Sequence, residues 1–573
     1  MSDDIKHECA VALVVLRKNG GCYRAKYGTA DFGGTKLSLL LEKQHNRGQD
    51  GAGAAIVEAN PEPGEEPYQM FKSASSTPLA DVLELLTKRT LVQPVSPEKK
   101  FDRIFLGHLR YATFGKNEIS FCHPFVHEAG DLAHTVLLAG NFNLTNAHEL
   151  FDDYSRRGAF PTSKADGYLI CEMIARELEG LSGRADSNSL AKALSTALAN
   201  ADGAWTLCGA TGDGWAFATR DAHGIRPGYY YFDDDVVVVA SERPAIQAAF
   251  DVPPEAVKEL PCGQTLVVSP EGEVSLVAPS AAENGEPIPL KRPCCFERIY
   301  FSRANDADIH RERKALGAAL LPQILKAADA PLGDIFFSYI PNSARIAFHG
   351  LLERLFTDIL SGSSSLHGKE LPRFGEIAVK DAKFRTFIAD ASARREFYKH
   401  VYDVTYGLVR PGKDTLVVLD DSIVRGNTMK NAILPMLDRL GPRRIVIASS
   451  APPIRYPDCY GIDMSTLGEL VAFKALVNLL GDGAAEALRS TPLPELYAQF
   501  GEDEHCAEIA RLLTPSGMKA EVVVVYQTVE NMRKCLGVSG DWYFTGDYPT
   551  PGGYKVLHKA LLNYLNKNSD RSY

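Results

Sequence analysis

Short apolar runs rich in β-branched residues mark the first half of the chain. The segments at 10–16, 135–138, 206–209, 236–240 and 265–269 have strand length and end at polar or glycine-containing stretches. Between them, 36–43 and 167–179 carry apolar residues three and four apart, the helical period. From 294 onward strand-like and helical runs alternate, the order that builds a parallel sheet covered by helices. Within that half, 416–419 (LVVL) reads as a buried strand and 429–440 as a helix that stops at Gly441. The stretch 277–293, VAPSAAENGEPIPLKRP, interrupts both patterns and marks a boundary, and SGSSSL at 361–366 reads as a surface loop.

The chain has 573 residues, too many for one core, and two large domains fit this patterning. Its composition, 45% hydrophobic and 23% charged, is that of a globular protein. A net charge of -10 argues against nucleic-acid or anionic-membrane binding, so any phosphate site must be local. Without an apolar run of ~18 residues, and with the polar start MSDDIKHE, the expected location is the cytoplasm. Eleven scattered cysteines point to reduced thiols.

The chemistry concentrates first in TLVVLDDSIVRGNT at 415–428. A strand, a short loop and a helix start follow one another, the junction at which open α/β sheets bind ligands. The first N–H groups of a helix have no intrahelical partner, so Val424 to Thr428 with the helix dipole favour an anion, and Gly426 lets the backbone approach it. Asp420 and Asp421 can accept from two ribose hydroxyls or help hold a divalent cation on a diphosphate. A solvated Asp-Asp turn would need neither the strand nor the S-x-x-R-G-x-T continuation.

This run resembles the phosphoribosyl-diphosphate (PRPP) motif of the type I phosphoribosyltransferases, in the version found in the amidophosphoribosyltransferase family. The resemblance implies contacts to PRPP from Asp420, Asp421, Ser422, Val424, Arg425, Gly426, Asn427 and Thr428. SYIPNSA at 338–344 is similar to the family's diphosphate loop, which makes Ser343, Asp420 and Asp421 the expected residues around Mg2+. VKDAKFRTFIA at 379–389 resembles the segment that closes over PRPP, with Lys380, Lys383 and Arg385 as charge donors. CCFERIYFSRAND at 294–306 and SSAPPIRYPDCYGIDM at 449–464 extend the likeness.

The first half carries, in order, KQHNRGQDGAG, GHLRYATFG, CHPF, GNFNLTN, KADGYLI, RDAHGIRP and ASE, a series similar to the glutaminase domain of the class II amidotransferases. It implies an N-terminal-nucleophile αββα domain over 9–280, followed by a phosphoribosyltransferase domain over 294–551 and an extension over 552–573. Cys9 is the implied nucleophile. A terminal cysteine has its own α-amine as base, so residues 1–8 are expected to be a removable propeptide. Arg110, Thr113 and Asp166 are implied to hold glutamine, Arg110 by its α-carboxylate and Asp166 by its α-ammonium; the side chain of Asn141 and a neighbouring backbone N–H would stabilise the oxyanion. Phe142 stands where the family has glycine, and Ala10 replaces the glycine that often follows the nucleophile. His123 and His223 take no catalytic role in this reading.

Some members of the family bind a four-cysteine iron–sulfur cluster. Here Cys295 holds one ligand position, Cys459 lies one residue from another, and Gly540 and Tyr543 replace two thiolates, so no cluster is expected. The implied function is transfer of glutamine-derived ammonia to PRPP, the first step of purine (IMP) synthesis, by a homo-oligomer open to purine-nucleotide feedback. The substitutions at Ala10, Phe142, Asn342 and Asn427 keep two alternatives open: a PRPP or nucleotide sensor, and an ammonia-dependent phosphoribosyltransferase. An amino-sugar or asparagine amidotransferase would have no PRPP loop.

Overall fold

The computed structural model describes residues 9–568 apart from 30, 60, 93–100, 112–117, 182–184, 279–288, 363, 381–401 and 463. The propeptide expected at 1–8, together with Thr113, Lys383 and Arg385, therefore lies outside the described residues, as does the side chain of Lys380.

In chain order the first half contains β1 (Ala10–Leu16), β2 (Gly51–Ala59), β3 (Tyr68–Ser73), β4 (Phe101–Arg110), β5 (Phe125–His127), β6 (Val136–Leu144), β7 (Gly203–Thr211), β8 (Ala216–Arg220), β9 (Tyr229–Phe232), β10 (Val236–Ala240), β11 (Lys258–Glu259), β12 (Thr265–Val268) and β13 (Val274–Val277). They pair antiparallel into a seven-stranded sheet, β11-β9-β10-β1-β4-β2-β3, and a six-stranded sheet, β13-β12-β8-β7-β6-β5. Strand alternation stacks them. Val11, Leu13 and Val15 meet Leu137, Ala139 and Cys208 of the other sheet, while Ala12 and Val14 face the helices Phe32–Lys43 and Arg243–Phe250. On the opposite outer face, Val136 and Leu138 pack beneath the helices Asp166–Glu179 and Ser187–Ala197. Both faces of β1 are thus covered, which is why its sequence is continuously apolar.

The second half contains β14 (Ile335–Tyr339), β15 (Arg373–Phe374), β16 (Ala378–Lys380), β17 (Tyr402–Val404), β18 (Thr415–Asp420), β19 (Arg444–Ser449) and β20 (Glu521–Tyr526). Five form a parallel sheet in the order β15-β14-β18-β19-β20, and β16 with β17 makes a separate antiparallel ribbon. Leu416 and Val418 pack against one helix layer and Val417 and Leu419 against the other. The expected helix at 429–440 opens as a wide π-helical turn, Met429–Ile433, and continues as Leu434–Asp438, stopping before Gly441 at φ +71°.

Residues 552–565, expected as part of an extension, belong to a packed helix. The helix Pro551–Leu565 buries Val556 and Ala560 in a core shared with Phe296, Tyr460 and Trp542, and Gly552 N–H donates to Asp202 Oδ2 at 2.8 Å. The two halves are further joined by a buried ion network. Arg47 Nε donates to Glu242 Oε1 at 2.6 Å, and its Nη1 and Nη2 donate to Glu297 Oε1 and Oε2 at 2.9 and 2.7 Å.

Candidate active sites

One strand pairing builds the first site. β1 runs antiparallel to β4 with Ala10 opposite Leu109, so the residues after Leu109 arrive beside Cys9. Tyr111 N–H donates to Cys9 Sγ at 3.3 Å, and Arg110 and Asp166 both act on the thiol electrostatically. Burial pushes the Cys9 thiol up to about 11; the Tyr111 amide and the Arg110 guanidinium pull the other way but do not offset it. The thiol is therefore protonated near neutral pH and needs a base to become a nucleophile.

Asp166 is the first residue of its helix, where its carboxylate Oδ1 accepts from Gly167 N–H at 2.9 Å. Burial still raises it to about 6, against the pull of that N–H and of Arg110. An ammonium ion beside it would restore its charge. Arg110 is buried, with its guanidinium 5.6 Å from the centre of the Phe121 ring. These are the partners that a zwitterionic amino acid requires.

Asn141 is 2% exposed, and its Nδ2 is buried without a hydrogen-bond partner. A buried unpaired donor costs about 1–3 kcal/mol, and such exceptions in native proteins call for a functional explanation. Alternation along β6 gives Asn141 the parity of Leu137 and Ala139, between the sheets, and turns Phe142 with Val136 and Leu138 toward the helix layer. The ring at 142 thus packs on the opposite face of the strand from Asn141.

The second site lies where β18 ends. Asp420, Asp421 and Ser422 are all buried. Asp421 Oδ1 accepts from Ser422 Oγ at 2.9 Å, and its Oδ2 accepts from the Ser343 hydroxyl, which the turn after β14 brings across the sheet. Ser450 N–H and Ala451 N–H donate to the Asp420 and Asp421 carbonyls, both at 2.9 Å, tying the loop to the end of β19. Gly426 has φ +78°, and a Cβ there would meet Leu513 Cδ2 at 2.3 Å, so the turn requires glycine. Val424 and Thr428 are buried, Asn427 is exposed, and Arg425 Nε donates to Glu469 Oε2 at 2.7 Å. Among the described residues no group of three or more His, Cys, Asp or Glu side chains could hold a metal ion.

No family model matches the chain. It is 26% identical over 513 residues to the amidophosphoribosyltransferase of Methanocaldococcus jannaschii, covering 87% of this chain and 95% of that protein. It is 28% identical over 470 residues to the Staphylococcus epidermidis amidophosphoribosyltransferase, covering 81% and 83%. The chain resembles the amidophosphoribosyltransferases over most of its length. Two solved structures share the fold at 24% identity: the Bacillus subtilis glutamine PRPP amidotransferase complexed with ADP and GMP, with a TM-score of 0.65 and coverage of 95% and 97%, and an allosteric regulatory enzyme of purine biosynthesis, with a TM-score of 0.66 and coverage of 95% and 96%. No helix among the described residues is long and apolar enough to cross a membrane.

On this amidophosphoribosyltransferase-like scaffold, Cys9, Arg110 and Asp166 come together, as do Ser343, Asp421 and Ser422. Sequence reasoning missed three kinds of residue near them. His108 lies two residues before Arg110 on β4, so strand alternation places both on one face and could have found it. Asn143, two residues beyond Asn141, donates its Nδ2 to Cys459 O at 2.7 Å in the other half. Arg313, 4% exposed and electrostatically coupled to Asp421, sits inside a helix and shows no local signal.

Proposed function

We propose that this protein is a glutamine-dependent amidophosphoribosyltransferase. It hydrolyses glutamine at Cys9 in an N-terminal-nucleophile αββα domain and passes the ammonia to PRPP, giving 5-phosphoribosylamine, glutamate and diphosphate. The observation that carries the reading is that two chemically complementary sites share one chain. A thiol stands beside a cation and an anion in the first half, whose inter-sheet core also holds an orphaned amide donor, and a strand-end pair of carboxylates leads into a phosphate-sized loop in the second. The fold likeness and the 26–28% identity to amidophosphoribosyltransferases support it.

Removal of residues 1–8 would give Cys9 the α-amine that takes its proton. Asn141 Nδ2 and the Phe142 N–H would receive the oxyanion. Asp420, Asp421 and Ser343 fit a hard cation that takes most of its ligands from diphosphate and water, as magnesium does, because they supply oxygen donors but too few to cage it alone. The metal would neutralise the departing diphosphate. Tyr543 OH accepts from Phe296 N–H at 2.5 Å and lies 3.5 Å from Cys294 Sγ; with Gly540 it offers no thiolate to an iron–sulfur cluster, and the reading includes none. A cytoplasmic homo-oligomer responsive to purine nucleotides completes it, the last in line with the ADP and GMP bound to the Bacillus subtilis protein. Purified, processed protein given glutamine, PRPP and Mg2+ should release glutamate and diphosphate one for one. Diphosphate only with added ammonia would point to an ammonia-dependent enzyme, and neither product to a sensor.

A further inference from the structure

Two histidines that the reaction as proposed does not use lie against its oxyanion strand. His108 is 0% and His123 6% exposed, and their rings stack with centroids 4.0 Å apart and planes 16° off parallel. His108 Nε2 lies 3.0 Å from Gly140 O and His123 Nδ1 lies 3.3 Å from Gly140 N. The first bond requires a proton on Nε2 of His108, whose Nδ1 is buried with no partner for a second proton, and the second requires a bare Nδ1 on His123, so both rings fit neutral Nε2–H tautomers. Burial, the dominant cause, lowers His108 to about 3 and His123 well below its usual value, which keeps them so.

The Gly140 carbonyl belongs to the peptide that leads into Asn141. The Gly140 N–H points off the edge of β6 toward His123, and because the strand repeats every two residues the Phe142 N–H points to that same edge, beyond the end of β5 at its pairing with Leu138. A Cβ at 140 would meet Leu207 Cδ2 at 2.4 Å, so glycine lets the strand lie this close. We infer that the stacked pair of His108 and His123 positions the oxyanion-binding strand, gripping both polar groups of Gly140 and so setting where Asn141 Nδ2 and the Phe142 N–H stand. The inference rests on the glutamine-hydrolysis reading of Cys9. Neither ring touches the reacting atoms; both act through Gly140, and donors fixed in advance are what make an oxyanion hole effective.

Four variants test it. His108→Phe and His123→Phe keep a stacked ring but remove the bond to Gly140. His108→Gln supplies an N–H in place of Nε2, and His123→Asn an acceptor in place of Nδ1. The Phe variants should lose ~10–100-fold in kcat for glutamine with little change in KM, the size expected when a catalytic group is misplaced by about 1 Å. The Gln and Asn variants should recover most of that loss, and all four should use ammonia with PRPP as the parent does. Parent rates in the Phe variants, or equal losses in all four at parent thermal midpoints, would overturn the inference. Nitrogen-15 spectra of histidine-labelled parent give a readout independent of turnover: an Nδ1–H tautomer at His123 contradicts the geometry. A parent that shows these tautomers but does not hydrolyse glutamine fails the reading of Cys9, and the positioning role falls with it.

Discussion

The two sites are assembled in opposite ways. The first takes Cys9, Arg110, Asn141 and Asp166 from three strands or their ends and one helix: strand pairing sets Arg110 beside Cys9, while Asn141 belongs to the other sheet and Asp166 to a helix packed on it. The second comes largely from the single run 420–428, with Ser343 added by the neighbouring strand's loop. Their electrostatics differ as well. Burial leaves the first site with a protonated thiol and a carboxylate raised to about 6, a site that becomes charged as substrate and base arrive. At the second, the Ser343 and Ser422 hydroxyls already donate to Asp421, whose oxygens are fixed in place where a cation or a sugar would meet them. A contact-built site depends on packing far from it, and a loop-built site on its own backbone.

Cys9→Ser gives the largest expected effect and separates the sites: glutamine-dependent turnover should vanish while ammonia-dependent turnover of PRPP persists. Loss of both would show Cys9 to be structural. Arg47→Met should cost about 3–5 kcal/mol in denaturant unfolding, because it removes the guanidinium paired with both buried carboxylates, Glu242 and Glu297. A loss under about 1 kcal/mol, the range of exposed pairs, would mean the halves are not held by this network. Asn141→Ala should cost about 2.7–4 kcal/mol of transition-state stabilisation in glutamine hydrolysis, and Phe142→Gly should give no gain, since the ring faces away from Asn141. A faster Phe142→Gly variant would mean that the ring obstructs the hole. Asp421→Asn should cost about 1.5–3 kcal/mol in kcat/KM for PRPP, the worth of a charged hydrogen bond, with glutamine binding unchanged. Unchanged PRPP kinetics would remove the assignment.

The same contrast governs what the sequence reveals. The strand, the loop and the glycine at 426 were legible because local physics dictates them: an apolar run, a helix start and a positive φ. β1 matches its apolar run of 10–16 because both of its faces are buried. β6 runs several residues past its apolar segment, since Asn141 and Asn143 break the hydrophobic pattern where the chain turns to function, and β7 extends beyond 206–209 at both ends. Such polar residues inside strands make sense only once the other sheet is in place. The Arg47–Glu297 pair lies 250 residues apart and the His108–His123 stack joins β4 to the turn before β5, and no spacing rule predicts either. The helix from Pro551 read as an extension because its burial depends on partners such as Asp202 in the other half.

The smallest effect sharpens the comparison most, because it titrates one site and not the other. Burial raises Asp166 from about 3.9 to about 6, so its neutral form predominates below that pH and its carboxylate above it. If the carboxylate holds the glutamine α-ammonium, affinity is full at pH 7 and is lost as pH falls through about 6. Calorimetric titration of glutamine into Cys9→Ser protein, which binds without turnover, should therefore show Kd weakening about tenfold between pH 7 and pH 5, the ratio of ionised fractions for a group titrating at 6. Asp166→Asn, which has no group to titrate, should bind weakly and nearly independently of pH across that range. PRPP binding draws on Asp420 and Asp421 instead and should lack this dependence on residue 166. A glutamine Kd that is flat from pH 7 to 5 in the Cys9→Ser protein would mean that Asp166 is ionised throughout or that the ammonium sits elsewhere, and the first site would need another anion.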